Sequence, residues 1–271
     1  FNMGMAGAAL ATIIGQFVSG LMVIGYLTRF KTVHLSLHSL KPIPSHLKAI
    51  AALGMAPFFN QMAMMVVQIV MNNTLAHYGV KSIYGGDIPL ACAGIITKVN
   101  MIFMSFVIGI SQGVQPIIGF NYGAKKYKRV RKSYLLALGV ATVLSGIAFF
   151  CFQVFPRQII SVFGEGSELY FQFSERYFRI YMFLTLINGI QPVTSNFFNS
   201  IGKAQLGVFM SLTRQILFLL PLIIIFPLFM GIDGVMYAGP IADAAAALVC
   251  GYFTIRELKE LTQLEKLTLN L

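Results

Sequence analysis

Long apolar segments alternate with short polar ones along almost the whole chain. Seven segments carry the twenty or so apolar residues that a helix needs to cross the hydrocarbon core of a bilayer. They are residues 5–28, 48–76, 89–119, 133–156, 174–200, 206–229 and 234–255. Several are longer than this minimum, which indicates tilt, kinks or extension into the headgroups. The pattern predicts an all-α polytopic transmembrane helix bundle of about seven spans.

The composition excludes a soluble domain. Hydrophobic residues make up 57% of the 271 positions, charged residues only 11%, and the mean hydropathy is +0.76. A soluble domain carries roughly 25% charged residues. The net charge of +11 does not indicate nucleic-acid binding, because the charges lie in short loops between apolar segments. We expect no cofactor, metal site or catalytic centre, because the three cysteines are widely separated and no nucleophile constellation or nucleotide-binding loop is present.

The charges are distributed unevenly between the two sets of loops. Fourteen basic and three acidic residues fall in 29–48, 119–132, 201–205 and the tail from Arg256. The alternate loops and helix ends hold four basic and five acidic residues. The positive-inside rule therefore places the C-terminus in the cytoplasm and the start of the first span outside. An odd number of spans with this orientation indicates that further spans precede residue 1.

One segment, residues 109–132, combines a kink with an abrupt change to basic character. The apolar helix meets Gln115 and Pro116, then leaves through residues 121–124 into six cations within eight positions. Proline removes a backbone donor and bends a helix. An apolar, kinked and then basic segment is typical of a membrane helix that emerges on the cytoplasmic side.

The first and last spans begin alike. Gly4 and Gly7 open the first, and Gly231 and Gly234 open the last, each pair followed by small and apolar residues. Small residues at this spacing allow close helix packing, so chance similarity of two helix starts is the alternative. If the match marks a repeat, the repeat contains six spans and the intact protein has about twelve in two halves. Parallel repeats around a central cavity are typical of transporters.

These segments resemble the MATE (multidrug and toxic compound extrusion) transporters. Residues 113–125 are similar to the family's approach to its basic cytoplasmic loop, 199–204 to its turn between helices 10 and 11, and 231–243 to the start of its helix 12. The sequence is more similar to the MepA-like and DinF-like branch than to the NorM-like branch. The resemblance implies helices 6–12: residues 1–30 the last helix of an N-terminal lobe, 31–47 a cytoplasmic inter-lobe linker, 48–256 a six-helix C-terminal lobe and 257–271 a cytoplasmic tail.

The resemblance also implies a function. Members export lipophilic, often cationic compounds by alternating access, driven by inward H⁺ or Na⁺. Some relatives hold a cation with carboxylates in helices 7 and 10, but here 48–76 and 176–200 contain no Asp or Glu. Others place the coupling carboxylate in the first helix, so we expect the coupling residue in the N-terminal lobe. A flippase for lipid-linked saccharide and a non-transporting membrane scaffold remain alternatives.

Three ionisable residues lie well inside the predicted spans: Lys98, Arg214 and Asp243. Such groups are costly in lipid and often functional. Lys98 and Asp243 lie at similar depth, which suggests a direct or water-mediated pair. A structural ion pair, a part in the proton or substrate path, and simple solvation all remain open. Arg214 lies nearer the inner end, where its side chain can extend to the headgroups.

Uncharged amides and methionines recur within three spans. Gln61, Gln68 and Asn72 share one helix face, because they are seven and eleven positions apart. Amides beside Met and Phe suit an adaptable site for lipophilic cations, and interhelical hydrogen bonding is the alternative. The predicted substrate cavity is lined by Gln61, Met65, Gln68, Asn72, Asn100, Met104, Gln115, Asn188 and Gln191. Pro57, Pro116, Pro192 and Pro240 are predicted kinks, either static or hinge-like.

Overall fold

The computed structural model describes residues 4–28, 43–164 and 166–269, and every regular element in these ranges is helical. The predicted linker, 31–47, lies mostly outside the described residues. The helices are α1 (Gly4–Thr28), α2 (Pro44–Val80), α3 (Asp87–Gly123), α4 (Tyr127–Val154), α5 (Pro156–Phe163), α6 (Glu168–Tyr181), α7 (Thr185–Asn188), α8 (Ile190–Ser200), α9 (Ala204–Leu212), α10 (Leu220–Met230) and α11 (Ile232–Leu269).

The chain divides into two compact units, one ending at Gly54 and the other beginning at Met55. The first contains α1 and the beginning of α2. Large apolar side chains on α1 are exposed, including Phe17 at 68% and Met22 at 73%. A helix with apolar side chains on all sides requires lipid or other protein around it, because water would not solvate that surface.

The second unit is a helical bundle with one continuous apolar core. Helix α3 packs against α4 and α8, and α11 packs against α4, α6 and the α9–α10 segment. Fully buried side chains at these contacts include Val107, Tyr134, Phe198 and Val235. Apolar side chains also cover the outside of the bundle, among them Ile102, Phe106 and Phe150. An apolar core inside an apolar surface is the arrangement expected in lipid.

Five helical stretches among the described residues are long and apolar enough to cross a membrane: 9–26, 87–123, 127–154, 204–230 and 232–267. The predicted span 48–76 lies within one helix, α2. The remaining one, 174–200, is not a single helix.

The segment 174–200 is divided into α6, α7 and α8, which corrects the expectation of one continuous span. The breaks fall at residues 182–184 and at Gly189. Thr185 Oγ1 donates to the carbonyl of Met182 at 2.7 Å, which satisfies one backbone acceptor at the first break. Pro192 lacks the donor that would continue the ladder across the second break. Gly189 also approaches α4 closely, since a Cβ there would lie 3.0 Å from Ser145 Oγ.

The last two spans differ from simple helices in other ways. Between α9 and α10 the chain forms a π-helical turn, Thr213–Leu219, rather than α-helix. Helix α11 runs from Ile232 to Leu269 without a break, so the segment predicted as a tail continues the last span. Pro116 and Pro240 lie inside continuous helices. Thirty-eight residues of α-helix extend about 57 Å, well beyond a hydrocarbon core of ~30 Å.

Candidate substrate-facing surface

One side of α3 exposes three polar side chains and one methionine within the membrane segment. Lys98, Met101, Ser105 and Gln112 are all exposed. At 100° per residue they fall within about 60° of one another around the helix axis. The neighbouring side exposes apolar residues, including Ile102 and Phe106. Helix α3 therefore presents an apolar face suited to lipid beside a polar face that is not.

Lys98 is the charged group of this polar face. It lies eleven residues after Asp87, about 16 Å along a helix that crosses a core of ~30 Å. The side chain is exposed, and among the described residues it forms no ion pair. No direct ion pair joins Lys98 and Asp243 among the described residues, and Asp243 bonds to Arg214 instead.

Helix α2 carries the second exposed polar stripe. Gln61, Met65 and Asn72 are exposed, and Gln68 is half-buried and donates from Nε2 to Asn72 Oδ1 at 3.0 Å. Ala63, Val67, Met71 and Leu75 form the buried side of the helix. The amides therefore lie away from the core of their own lobe. Among the described side chains, Gln68 and Asn72 bond to each other.

Three predicted cavity residues of α3 lie at the edge of its polar face. Asn100, Met104 and Gln115 are half-buried, and Met104 also packs against the core. The Oδ1 atom of Asn100 is buried and has no hydrogen-bond partner among the described residues. A buried amide oxygen without a donor is destabilising, so this position favours a donor from water, ligand or another part of the protein.

The remaining predicted cavity residues, Asn188 and Gln191, are held within the bundle. Asn188 is buried at 8% exposure. Gln191 Nε2 donates to the carbonyls of Met210 at 3.2 Å and Ser211 at 3.3 Å. The Ser211 hydroxyl in turn donates to Asn60 Oδ1 at 2.7 Å. These amides connect α8, α9 and α2, and the structure does not bring them onto the exposed stripes.

Sequence reasoning missed two hydrogen-bond networks, one partly buried and one buried, that hold α8 in place. Asn196 Nδ2 donates to Ser111 Oγ at 2.8 Å, and Ser111 donates to the carbonyl of Pro192 at 3.2 Å. The Tyr134 hydroxyl lies 3.0 Å from Thr194 Oγ1 and 3.3 Å from Thr254 Oγ1. The partners are 60 to 120 residues apart in sequence, so no local pattern signals them. The network around Pro192 binds the carbonyl next to the helix break.

Arg214 and Asp243 form a buried ion pair between the π-helical turn and α11. Their side chains are only 12% and 2% exposed. Asp243 lies eleven residues after Ile232, so it is about 16 Å along α11 and far from either end of the span. Arg214 therefore does not extend to the headgroups as predicted. The Tyr181 side chain at the end of α6 forms a hydrogen bond with Arg214. A π-helical turn that contains one member of a buried pair is a local departure of the kind seen at functional or strained positions.

The two ends of the bundle carry different ion pairs. At the end of the bundle that carries the cations of residues 125–132, hereafter the basic end, Lys203 bonds Glu257 at 2.7 Å and Glu260 at 3.1 Å. Partial burial alone lowers the pKa of Lys203, but the hydrogen bonds and charges of the two glutamates outweigh it and leave the pKa above its ordinary value of 10.5. At the opposite end, Arg176 bonds Asp233 at 2.9 Å.

These features define a class of protein: a polytopic helical membrane protein with exposed polar stripes inside its spans. The MatE family model matches residues 57–225, and the chain belongs to this family.

Curated relatives are multidrug exporters. The multidrug export protein MepA of Staphylococcus aureus strain RF122 is 24% identical over 92% of this chain and 53% of its own length. MepA of Staphylococcus haemolyticus is 22% identical over 99% of this chain and 57% of its own length. The chain thus spans about half the length of the curated relatives it matches.

Solved structures share the fold. An outward-facing multidrug resistance MATE family transporter superposes with a TM-score of 0.79 at 20% identity, over 96% of this chain and 58% of that one. An inward-facing form gives a TM-score of 0.80 at 20% identity, over 97% of this chain and 60% of that one. A MOP superfamily transporter from Pyrococcus furiosus, described as having a binding pocket of reverse polarity, gives 0.79 at 20% identity over 96% and 58%.

Proposed function

We propose that the chain is the C-terminal part of a secondary active efflux antiporter for multiple drugs and organic cations. Export is coupled to inward H⁺ or Na⁺ and proceeds by alternating access between two lobes. The family supports the transporter class, and the two conformations solved for related proteins support alternating access as its mechanism. Transport is its activity, and no catalytic residue is assigned.

The observation that carries this proposal is the exposed polar surface on α2 and α3. Polar side chains in a membrane protein normally face the bundle interior or a water-filled cavity. The amides of α2 and the polar face of α3 lie outside the core of their own lobe. A second lobe placed against them encloses a polar, methionine-containing cavity suited to varied substrates.

The coupling residue is proposed to lie in the second lobe. The described spans place Asp243 in a buried pair with Arg214, and no acidic side chain is exposed at mid-depth among the described residues. Burial and its partner Arg214 thus close the Asp243 carboxylate off from the exposed stripes of α2 and α3. The C-terminus is assigned to the cytoplasm of a bacterial inner membrane, because the basic end of the bundle faces the inside under the positive-inside rule.

One observation favours a second candidate, a flippase of the same superfamily for lipid-linked saccharide. Lys98 places a positive charge on the exposed face of α3, where it attracts an anionic group and repels a cation. A pyrophosphate linker is such a group.

Ethidium efflux from cells expressing the full-length parent protein tests the proposal. The proton and sodium gradients are collapsed separately. Loss of efflux on collapse of one gradient establishes an antiporter and names its ion. Absence of efflux for any lipophilic cation, with normal expression, contradicts the proposal and favours the flippase. Cells expressing residues 1–271 alone should not transport, because half of the cavity wall is then absent.

A further inference from the structure

A groove between α4 and α11 opens at the basic end of the bundle. It has a volume of about 470 Å³ and is lined by Arg131, Ile255, Leu258, Lys259, Thr262, Gln263 and Lys266. This groove lies apart from the exposed stripes of α2 and α3 that form the candidate substrate surface. Three of its lining side chains are cationic, and two are aliphatic.

The outer face of α11 changes from apolar to basic along the direction of the groove. Leu248, Tyr252, Ile255, Lys259 and Lys266 are all exposed. At 100° per residue they fall within about 60° around the axis. Leu248, Tyr252 and Ile255 form the apolar part of this face. Lys259 and Lys266 form its cationic part, nearer the C-terminal end of the helix. An apolar surface followed by a cationic one is complementary to a phospholipid, whose acyl chains and phosphate follow the same order.

Helix α4 contributes one side chain, Arg131, to the lining of the groove. Tyr134 contacts Thr254 at 3.3 Å, which aligns the two helices at the level just below Lys259. Arg131, one turn before Tyr134, donates to Thr262 Oγ1 at 2.7 Å and lies 3.9 Å from Glu265. Its guanidinium is therefore fixed beside the groove, and 34% of its side chain remains exposed.

The charge balance of the groove favours an anion. Glu265 offsets part of the charge of Arg131, but neither Lys259 nor Lys266 forms an ion pair among the described residues. Glu260, the nearest acid to Lys259 in sequence, bonds Lys203, and neither of these two residues lines the groove. Two lysines thus remain available above an apolar wall.

We propose that this groove binds the headgroup of an anionic phospholipid. Lys259, Lys266 and the fixed Arg131 contact the phosphate, while Tyr252, Ile255 and Leu258 contact the upper acyl chains. Phosphatidylglycerol fits this arrangement better than phosphatidylcholine, because its headgroup carries a net negative charge. The site is a lipid-binding surface on the C-terminal lobe and does not depend on the proposed transport activity.

Native mass spectrometry of the full-length protein in detergent tests the proposal, with phosphatidylglycerol and phosphatidylcholine offered separately. We expect selective retention of one phosphatidylglycerol. Because each juxtamembrane lysine contributes about fivefold to such binding, K259Q/K266Q should reduce its affinity by roughly twentyfold. The matched control is K125Q/R129Q, which removes two exposed charges at the same end without altering the groove.

Several results overturn the proposal. Equal weakening in the control variant indicates general surface charge, and full retention in K259Q/K266Q removes these lysines from the site. Displacement of the lipid by an equimolar amount of inorganic phosphate indicates a simple anion site. A change of oligomeric state in K259Q/K266Q without a change in bound lipid indicates that a second copy covers the groove. Melting in phosphatidylcholine alone confirms that both variants are folded.

Discussion

Two regions of the same lobe handle polar groups inside the membrane in different ways. Around α8, α11 and the π-helical turn, the polar side chains described above bond to other groups of the protein. Arg214 and Asp243 are almost fully buried together. On α2 and α3, Gln61, Lys98 and Gln112 are exposed instead. In the first region, the polar groups find their partners within the same lobe. The polar groups of the second region are favourable only when water, substrate or another lobe lies against them. This difference separates polar side chains that stabilise the lobe from polar side chains that are available for function.

The largest expected effect comes from breaking the buried pair. Asp243→Ala leaves the Arg214 charge buried without a partner, so it should lower the free energy of unfolding by about 3–5 kcal/mol. Replacing both members, as Arg214→Met with Asp243→Leu, should recover most of that loss because no charge remains buried. Unfolding of the full-length protein in detergent measures both. A loss below about 1 kcal/mol for Asp243→Ala would show that water reaches the pair and that the region is not closed.

A steric change tests the same closed region. At Gly234 a Cβ would lie 2.5 Å from the carbonyl carbon of Phe226, so α10 and α11 are in contact through their backbones. Gly234→Ala should destabilise the protein by about 1–3 kcal/mol, as overpacking generally does. Gly251, on the same helix with nothing within 4 Å, provides the matched control and should tolerate alanine. Equal melting temperatures for the two variants would contradict this packing.

The exposed region should respond in the opposite manner. Gln68→Leu and Asn72→Leu remove polar groups that bond only to each other among the described side chains, so stability should change by less than about 0.5 kcal/mol. Ethidium efflux by the full-length protein should fall severalfold, because the cavity wall loses its amides. The control is Ile69→Leu on the same helix, an exposed apolar position. Loss of stability without loss of efflux would assign the amides to packing.

The contrast between these regions shows how far the sequence could be interpreted. Apolar length and loop charge identified the helical membrane bundle, and the amide spacing identified the α2 stripe, because both depend on neighbours along one helix. The Arg214–Asp243 pair joins two side chains that are 29 positions apart in sequence and lie on different helical segments. No local period reveals such a contact. The π-helical turn is likewise not marked by any local period, whereas the break at Gly189 has a local contributor in Pro192. Lys98 lies exposed within its span, and the direct pair predicted with Asp243 does not form among the described residues.

The smallest expected effect concerns the basic end. The pKa of Lys203 is raised in the folded state, so its pairing with Glu257 and Glu260 stabilises the protein fully below the ordinary lysine value of 10.5. This contribution should disappear as the pH rises through the higher folded-state pKa. Lys203→Met should therefore reduce the dependence of the free energy of unfolding on pH in the alkaline range. The change should be well under 1 kcal/mol, because the pair is partly exposed to solvent. An unchanged profile would show that the pair contributes nothing measurable.

We expect the polar face of α3 to line an aqueous pathway, while its neighbouring face contacts lipid. A charged, membrane-impermeant thiol reagent tests it in the full-length protein, with Cys151 replaced by serine to lower the background. Ser105→Cys should react readily, and Phe106→Cys, one position further around the helix, should not. Protection of Ser105→Cys by ethidium would place substrate in the same pathway. Equal reaction at both positions, or reaction at residue 106 alone, would contradict the assignment of the two faces.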